Sequence, residues 1–566
     1  MSISQHIPTE LVNELEAASK RARVDRAGPS APLRSLPAGV ESPFGELRGE
    51  RAAAAYSGDQ WGASSLQKFA DVSGLSHTHE DAWGFLEYLN QFAPYNYWFG
   101  DGNVQVWQYE EAYDNWQDTY GVDAVLAFYH SGHGGMDGNG VFQVPLGAAW
   151  DNRTWAFSNN MRLGNEQVRY IFWSTCLSLR VLEGHNPIRT WSPANLGFRM
   201  LFGYETTSID HGGYGRAFWN QWKSGKSLSQ AFLDASWYNI STHQAPSVLA
   251  CGTDATDASN RLYNERSLSW DAVSHNWWQW RWYYAAASAA GLRAPNLQTP
   301  ATPLVGRLRR ERVDELYFSQ IRDRHDLPLS VSPKELSLGS GRGFLAAENG
   351  IRLAVAGDGS YEATLAAPNR ENKAQIPIRS AIRIAQDLTN QHGIDGEGLI
   401  FDRVMHQYEA GGTVQGDGEL REPAVTETVV QFTQTVNGLP VLAPGRGQVS
   451  VSIDNDGLVT SVRNTVAPVV ELSDRSRRIP TPPGETAPTH DREDIDGLLD
   501  DQWQARLRTF VMEGKMPRSF SEVPGSSEVG YALRGDEAVL VARREMEADH
   551  GHGIAKRHLI EVPLAE

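Results

Sequence analysis

The 566-residue chain is poor in cysteine, with only Cys176 and Cys251. That excludes a disulfide-built scaffold and leaves too little sulfur for a thiolate metal site. Cations are also in deficit: 51 Lys and Arg stand against 69 Asp and Glu, a formal net charge of −18. Phosphate backbones and anionic membrane surfaces are recognised by clustered Lys and Arg, so neither nucleic acid nor a membrane is an expected partner. No apolar run approaches the ~20 residues a membrane helix requires. The start of the chain, Met1 to Val12, lacks the basic head and apolar core of a secretory signal, which makes a cytoplasmic location the expectation and leaves export by another route open. Tryptophan is almost missing from the second half, where Trp503 is the single example after Trp282.

The other seventeen tryptophans fall between Trp61 and Trp282, and that shift in composition marks a domain. The length predicts more than one domain, and four segments are read: an arm over 1–60, an α/β domain over 61–290, a linker over 291–340 containing the Pro-rich run Ala294 to Pro303, and an α+β region over 341–566. In the second segment, apolar strands alternate with helical patterns at Glu80 to Phe92, Gly212 to Trp222 and Ser227 to Ser236. This predicts a mostly parallel sheet sandwiched by helices. In the fourth, Thr426 to Val441, Gly447 to Arg463 and Val529 to Arg543 alternate as antiparallel hairpins, Lys556 to Pro563 supplies a last strand, and Ala381 to Leu388 is a short amphipathic helix.

Two strands carry the chemistry. Asp123 to Gly135 and Val168 to Cys176 are apolar, β-branched and aromatic runs that end in His133 and Cys176. The crevice beyond the carboxyl ends of parallel strands is where α/β sheets bind ligands, so a base and a thiol delivered there form a candidate dyad. A free thiol is mostly protonated at neutral pH and needs such a base. The flanking glycines permit close backbone approach, and the amides of Gly134 and Cys176 are candidate oxyanion donors. His130, nearer the strand, is read as a packing or orienting residue, and Cys251 as structural.

Tyr129-His-Ser-Gly-His-Gly-Gly135 resembles the histidine motif of metacaspases and other caspase-like, clan CD cysteine peptidases, and Ile171-Phe-Trp-Ser-Thr-Cys176 resembles their cysteine strand. Gly203 to Ser208, the Gly-Tyr-Gly helix after it and Gly225 to Phe232 are similar to the gingipain-type branch. The resemblance covers roughly 61–290 and implies a caspase-like fold, Cys176 as nucleophile, His133 as general base and acid, and the Gly134 amide in the oxyanion hole. It places Glu205, Asp210 and His211 where relatives build specificity pockets. Ser174 stands where metacaspases carry an acidic residue that selects basic substrates, so an Arg or Lys preference is not implied. Gln434 to Val441 and Val449 to Val459 are similar to the PepSY group of metallopeptidase propeptide modules, which assist folding or inhibit their protease. No His-Glu-x-x-His segment accompanies them, so the implied role is intramolecular regulation and not zinc catalysis.

The remaining constellations read more plainly. His77-Thr-His79-Glu-Asp81 suits a helix start, His550-Gly-His552 a turn between strands, Asp454-Asn-Asp-Gly457 a hairpin turn, and Trp277 to Trp282 core packing or domain docking. No metal or cofactor is expected. The expected function is a cysteine-dependent hydrolase, a peptidase acting on a peptide or small-molecule substrate. A non-catalytic caspase-like binding module, or a biosynthetic cyclase, ligase or isomerase using the same crevice, is the alternative.

Overall fold

The computed structural model describes residues 41–43, 60–288, 305–309, 311–394, 398–415, 418–473, 492–512 and 516–564. The arm over 1–60, the helical pattern at Glu10 to Arg23, the Pro-rich run Ala294 to Pro303 and the connector from Arg475 to Asp491 therefore lie outside the described residues, apart from 41–43 and Gln60.

The first half is built on strands β1 (Trp61–Ser65), β2 (Tyr97–Gly100), β3 (Ala127–Ser131), β4 (Tyr170–Ser174), β5 (Met200–Tyr204), β6 (Pro246–Gly252) and β7 (Trp277–Ser288). Every residue of β1, β3, β4 and β5 is buried, as expected of strands covered on both faces. The order β2-β1-β3-β4-β5 is parallel, whereas β6 pairs antiparallel with β5 and β7 antiparallel with β6. Residues alternate between faces. Tyr129, Phe172 and Phe202 point into one core together with helices α1 (Thr78–Leu89), α2 (Tyr214–Lys223) and α3 (Leu228–Asn239). Helix α3 begins at Ser227, whose hydroxyl accepts the Gln230 amide.

The opposite face departs from a helical sandwich. Phe128, Ile171, Trp173, Trp278, Trp280 and Trp282 are covered there by aromatic loops, two short helices (Asp114–Tyr120 and Pro187–Trp191) and a small three-stranded antiparallel sheet formed by 135–136, 142–150 and 153–157. Large aromatic side chains bury so much area each that loops carrying them close a core without long helices.

The sheet does not stop at residue 290. Strand β7 also pairs antiparallel, from Trp277↔Thr413 to Ser288↔Arg403, with a long strand of the second half. Labelled in chain order, the second half contributes β8 (Ile351–Val355), β9 (Tyr361–Thr364), β10 (Leu399–Thr413), β11 (Ala424–Val436), β12 (Gln448–Asp454) and β13 (Val459–Asn464), and β10 is the partner of β7. From it the ladder continues through β11, β12, β13, β9 and β8 to 341–348 and 334–338, so both halves share one mixed sheet. Helix α6 (Ile378–Gln391) covers the second part through Ala381 and Ala385; α4 (Ala255–Asn264) and α5 (Glu315–Arg324) precede it in the chain. A second sheet of six strands includes β14 (Glu528–Arg534), β15 (Glu537–Gly551) and β16 (Ile554–Pro563), with helix α7 (Arg492–Met512) packed on it.

The expected linker over 291–340 is structured in its described part. Residues 305–308 pair with β15 and with 469–473, 315–324 form α5, and 334–338 form the edge of the large sheet. Val305, Leu308, Phe318 and Ile321 are buried, and this apolar content holds the segment down. No helix among the described residues is long and apolar enough to cross a membrane.

One ladder through both halves couples their unfolding. Thermal denaturation followed by tryptophan fluorescence, which reports the first half, is expected to coincide with the loss of amide protection in β11 and β12. Two separated transitions would show that the β7–β10 pairing contributes little.

Candidate active site

Strands β3 and β4 are in register, Ser131 opposite Ser174, and leave the sheet side by side. Two residues beyond each end come His133 and Cys176, both with no exposed surface. The backbones touch: a Cβ placed on Gly134 would lie 2.8 Å from the Cys176 carbonyl oxygen, the Thr175 hydroxyl and the Phe142 ring. Glycine is required here by close approach. Leu177, directly after the thiol, has φ of 56°, a left-handed conformation that an L side chain holds at a cost on the order of 1–3 kcal/mol and that clusters at functional turns.

The His133 Nε2–H donates to the Ser73 carbonyl at 3.0 Å. A carbonyl only accepts, so the proton sits on Nε2, and Nδ1 is a lone pair that is buried without a partner. The ring packs on Phe69 and on His550, with centroids 4.7 and 4.6 Å away. Burial, with His550 and Lys556 adding positive charge, holds the imidazole well below its ordinary pKa of 6.5, so it is neutral. The thiol is engaged elsewhere. Ser208 donates its amide to Cys176 Sγ at 3.2 Å, its hydroxyl lies 3.5 Å from the sulfur, and no hydrogen bond joins the sulfur to His133.

The other expected residues separate into two groups. Asp210 reaches the crevice: it accepts the Ser76 and His77 amides at 2.9 and 3.2 Å and pairs with Arg506 at 2.9 Å. Burial acts to raise its pKa, but His558, Arg506 and Lys556 together hold it below the usual carboxylate value. Glu205 instead accepts the amides of Val181 and Leu182 and pairs with Arg180, fixing the loop after the cysteine. His211 is exposed and accepts the Gly213 amide. Ser174 faces the helical core beside Asp81, a buried carboxylate that accepts hydrogen bonds from Tyr129 and Ser131 and from the Gly215 amide. These contacts give all three a structural partner: a loop for Glu205, a turn for His211 and the Asp81 network for Ser174. His130 bonds Tyr109 at 2.9 Å and packs on Trp173, and Cys251 accepts from Asn195 in the core, so both are structural.

The groups that sequence reading missed come from the far end of the chain. The β15–β16 hairpin lies across the crevice. Ile554 is fully buried, with its Cδ1 and the Gly553 carbonyl against Gly135, and the Gln143 amide donates to the His552 carbonyl at 2.5 Å. His550 bonds the Ser73 hydroxyl. Arg557 forms a short parallel bridge with Ile209, its amide donating to Ser208 O at 3.2 Å and its carbonyl accepting from Asp210 N at 2.9 Å. Lys556, 3% exposed, donates to the Ser208 hydroxyl at 3.0 Å, one residue away from the thiol. His550-Gly-His552 is the turn that the sequence suggests; only its destination was hidden. Among the described residues no cluster of three or more His, Cys, Asp or Glu has the form of a metal site.

Residues 61–282, the same span as the tryptophan-rich segment, match the model of a domain of unknown function, DUF6345. Among solved structures, the Bacillus megaterium YpeB C-terminal domain aligns with 46% of this chain and 100% of its own length, at 12% identity and a TM-score of 0.22. The search of curated proteins returns no match.

Replacing Gly134 by Ala forces its methyl into the Cys176 carbonyl and is expected to destabilise the protein by about 1–3 kcal/mol, read by denaturant unfolding. The hairpin contact is expected to be acid-labile. Burial pushes His550 down to about 4 and His558 down to about 3, while Asp549 and Asp210 respectively oppose the shift and Lys556 and Arg506 reinforce it. Their depressed values mean that the undocked hairpin, with imidazoles near 6.5, takes up protons first as pH falls. Docking is therefore full above pH 6.5 and weakens as pH drops through 6.5 toward 4. Hydrogen exchange at 554–560, corrected for intrinsic rates and compared with β4, should show selective loss of protection at pH 5; equal protection at pH 7.5 and 5 would contradict it.

Proposed function

We propose that the chain is a caspase-like, cysteine-dependent hydrolase acting on peptides, held in a closed state by its own C-terminal, propeptide-like region. The observation that carries this reading is the partnerless Nδ1 of a neutral His133 on a strand end that touches the backbone of Cys176. A base with a free lone pair, a thiol two residues past the neighbouring strand, glycine at the point of contact and a left-handed residue after the thiol are the parts that acyl transfer uses.

The chemistry follows from those parts. With the hairpin withdrawn, Nδ1 takes the thiol proton, and the thiolate attacks the substrate carbonyl to form a C–S bond. Backbone amides at Gly134 and Cys176 are the candidate donors to the oxyanion. As the C–N bond breaks, the imidazolium returns its proton to the leaving amine; water, deprotonated by the same nitrogen, then hydrolyses the thioester. In the closed state Ser208 holds the sulfur, and the buried crevice admits no substrate. A second reading, a peptide-binding module without turnover, draws on that Ser208 contact and the absence of a Cys176–His133 hydrogen bond.

The test uses the full chain carrying Ile554→Asp and Lys556→Asp, which disengage the hairpin, offered a fluorogenic peptide library. Hydrolysis is expected to appear in this variant and to fall at least about 100-fold when Cys176→Ala or His133→Ala is added. Peptide binding without turnover would favour the second reading, and turnover that survives Cys176→Ala would remove the dyad.

A further inference from the structure

A polar cavity of about 210 Å³ lies where the two halves meet, far along the sheet from the thiol, between helix α3, strand β7 and strands β8, β9, β12 and β13. Five cationic and three acidic side chains line it. Two of the cations are neutralised in place. Lys226 pairs with Asp234 at 2.6 Å and Glu362 at 2.5 Å, and Arg352 pairs with Glu362. The other three are not. Among the described residues no carboxylate forms an ion pair with Arg281, Arg370 or Arg463; Glu427, which accepts a hydrogen bond from Thr460, acts on Arg281 and Arg370 through space, as Asp234 does on Arg281 and the already paired Glu362 on Arg463.

Arg281 and Arg463 are 4% and 9% exposed, and burying a guanidinium with no carboxylate in direct contact is unfavourable. Arg281 finds only the Gln407 amide oxygen at 2.7 Å and the face of Tyr263 at 4.7 Å. Arg370 stacks on the same ring at 3.6 Å, which brings a second positive charge to one aromatic wall. Arg463 lies over Tyr238 and gives Nη2 to the Gly445 carbonyl at 3.0 Å, whereas its Nη1 is buried with no hydrogen-bond partner. Burial raises the Glu427 pKa above its ordinary value against the pull of Arg281 and Arg370.

We propose that this cavity is a binding site for a small molecule bearing a phosphate or carboxylate group, with the oxyanion taken by Arg463, Arg281 and Arg370. Guanidinium forks match such groups with paired N–H···O bonds, and the Ser452 hydroxyl, which accepts from Ser461 at 2.9 Å, supplies a further donor. Because the arginines come from β7, from the loop before α6 and from β13, the ligand bridges the two halves of the chain. The site is independent of the Cys176 crevice and of the reaction proposed there.

Isothermal titration of the full chain with inorganic phosphate and with citrate, against sodium chloride at matched ionic strength, tests the assignment. Saturable one-to-one binding of at least one of the two is expected, and the tighter one identifies the source of the oxyanion. Arg463→Gln or Arg370→Gln should raise its Kd at least about tenfold; the second variant changes a partly exposed side chain and so covers a folding failure of the first. The proposal is overturned if neither anion binds above the chloride control, or if both variants retain the wild-type Kd.

Discussion

Antiparallel pairing of Trp277–Ser288 with Leu399–Thr413 is the interaction on which the remaining architecture depends. Strand β7 is a sheet edge for the tryptophan-rich half and the first rung of the second half at once. Its alternation serves both duties. Trp278, Trp280 and Trp282 fill the loop-covered core, while Arg281 and Tyr283 face the polar cavity on the other side. A pairing of eleven residue couples, with one irregularity at Ala285/Ala287, leaves neither half a free long edge there and so removes a template for aggregation. It also sets where the C-terminal sheet lies, and hence what its last hairpin can reach.

That hairpin docks through a contact unlike a permanent core. Ile554 supplies an apolar anchor, but Lys556, His550, His558, Arg506 and Asp210 surround it with groups whose charge changes or must be neutralised. Buried neutral histidines next to a lysine are stable only while protons are scarce. A contact built on such groups responds to pH, whereas the stacked Phe172 and Phe202, 4.1 Å apart, hold no titratable group. Main-chain pairing at Arg557 fixes the register, so closure and side-chain placement occur together.

Much of this was legible in the sequence because local signals and tertiary demands agree. The strands ending in His133 and Cys176 announce themselves by continuous apolar runs, Ser227 caps the helix assigned to it, and Asp454 accepts the amides of Asp456 and Leu458 in a hairpin turn with Gly457 at φ 83°. What stayed hidden depends on distance in the chain. Nothing local to Lys556 or His550 indicates a partner several hundred residues earlier, and nothing in Ala285 shows that its strand has a second neighbour. Glu205 and His211 are read from their place near a strand end, and the contacts they make, a loop held by one and a turn amide accepted by the other, depend on neighbours that the local sequence does not show. The Pro-rich composition after residue 290 masked the buried Val305, Phe318 and Ile321, whose packing outweighs the local preference for an extended linker.

Ser208 is the point where the C-terminal hairpin and the Cys176 thiol meet. Its amide holds Cys176 Sγ, its hydroxyl receives the Lys556 ammonium, and its carbonyl accepts the Arg557 amide. Withdrawal of the hairpin removes two of these three bonds in one event, frees the loop from Ser208 to Asp210, and takes a buried positive charge away from the His133 ring. Each change favours a more basic imidazole and a less constrained thiol. In the proposed mechanism, the motion that would admit a substrate would therefore also prepare the two side chains, and opening without activation would require Ser208 to keep its geometry after losing its partners on the hairpin.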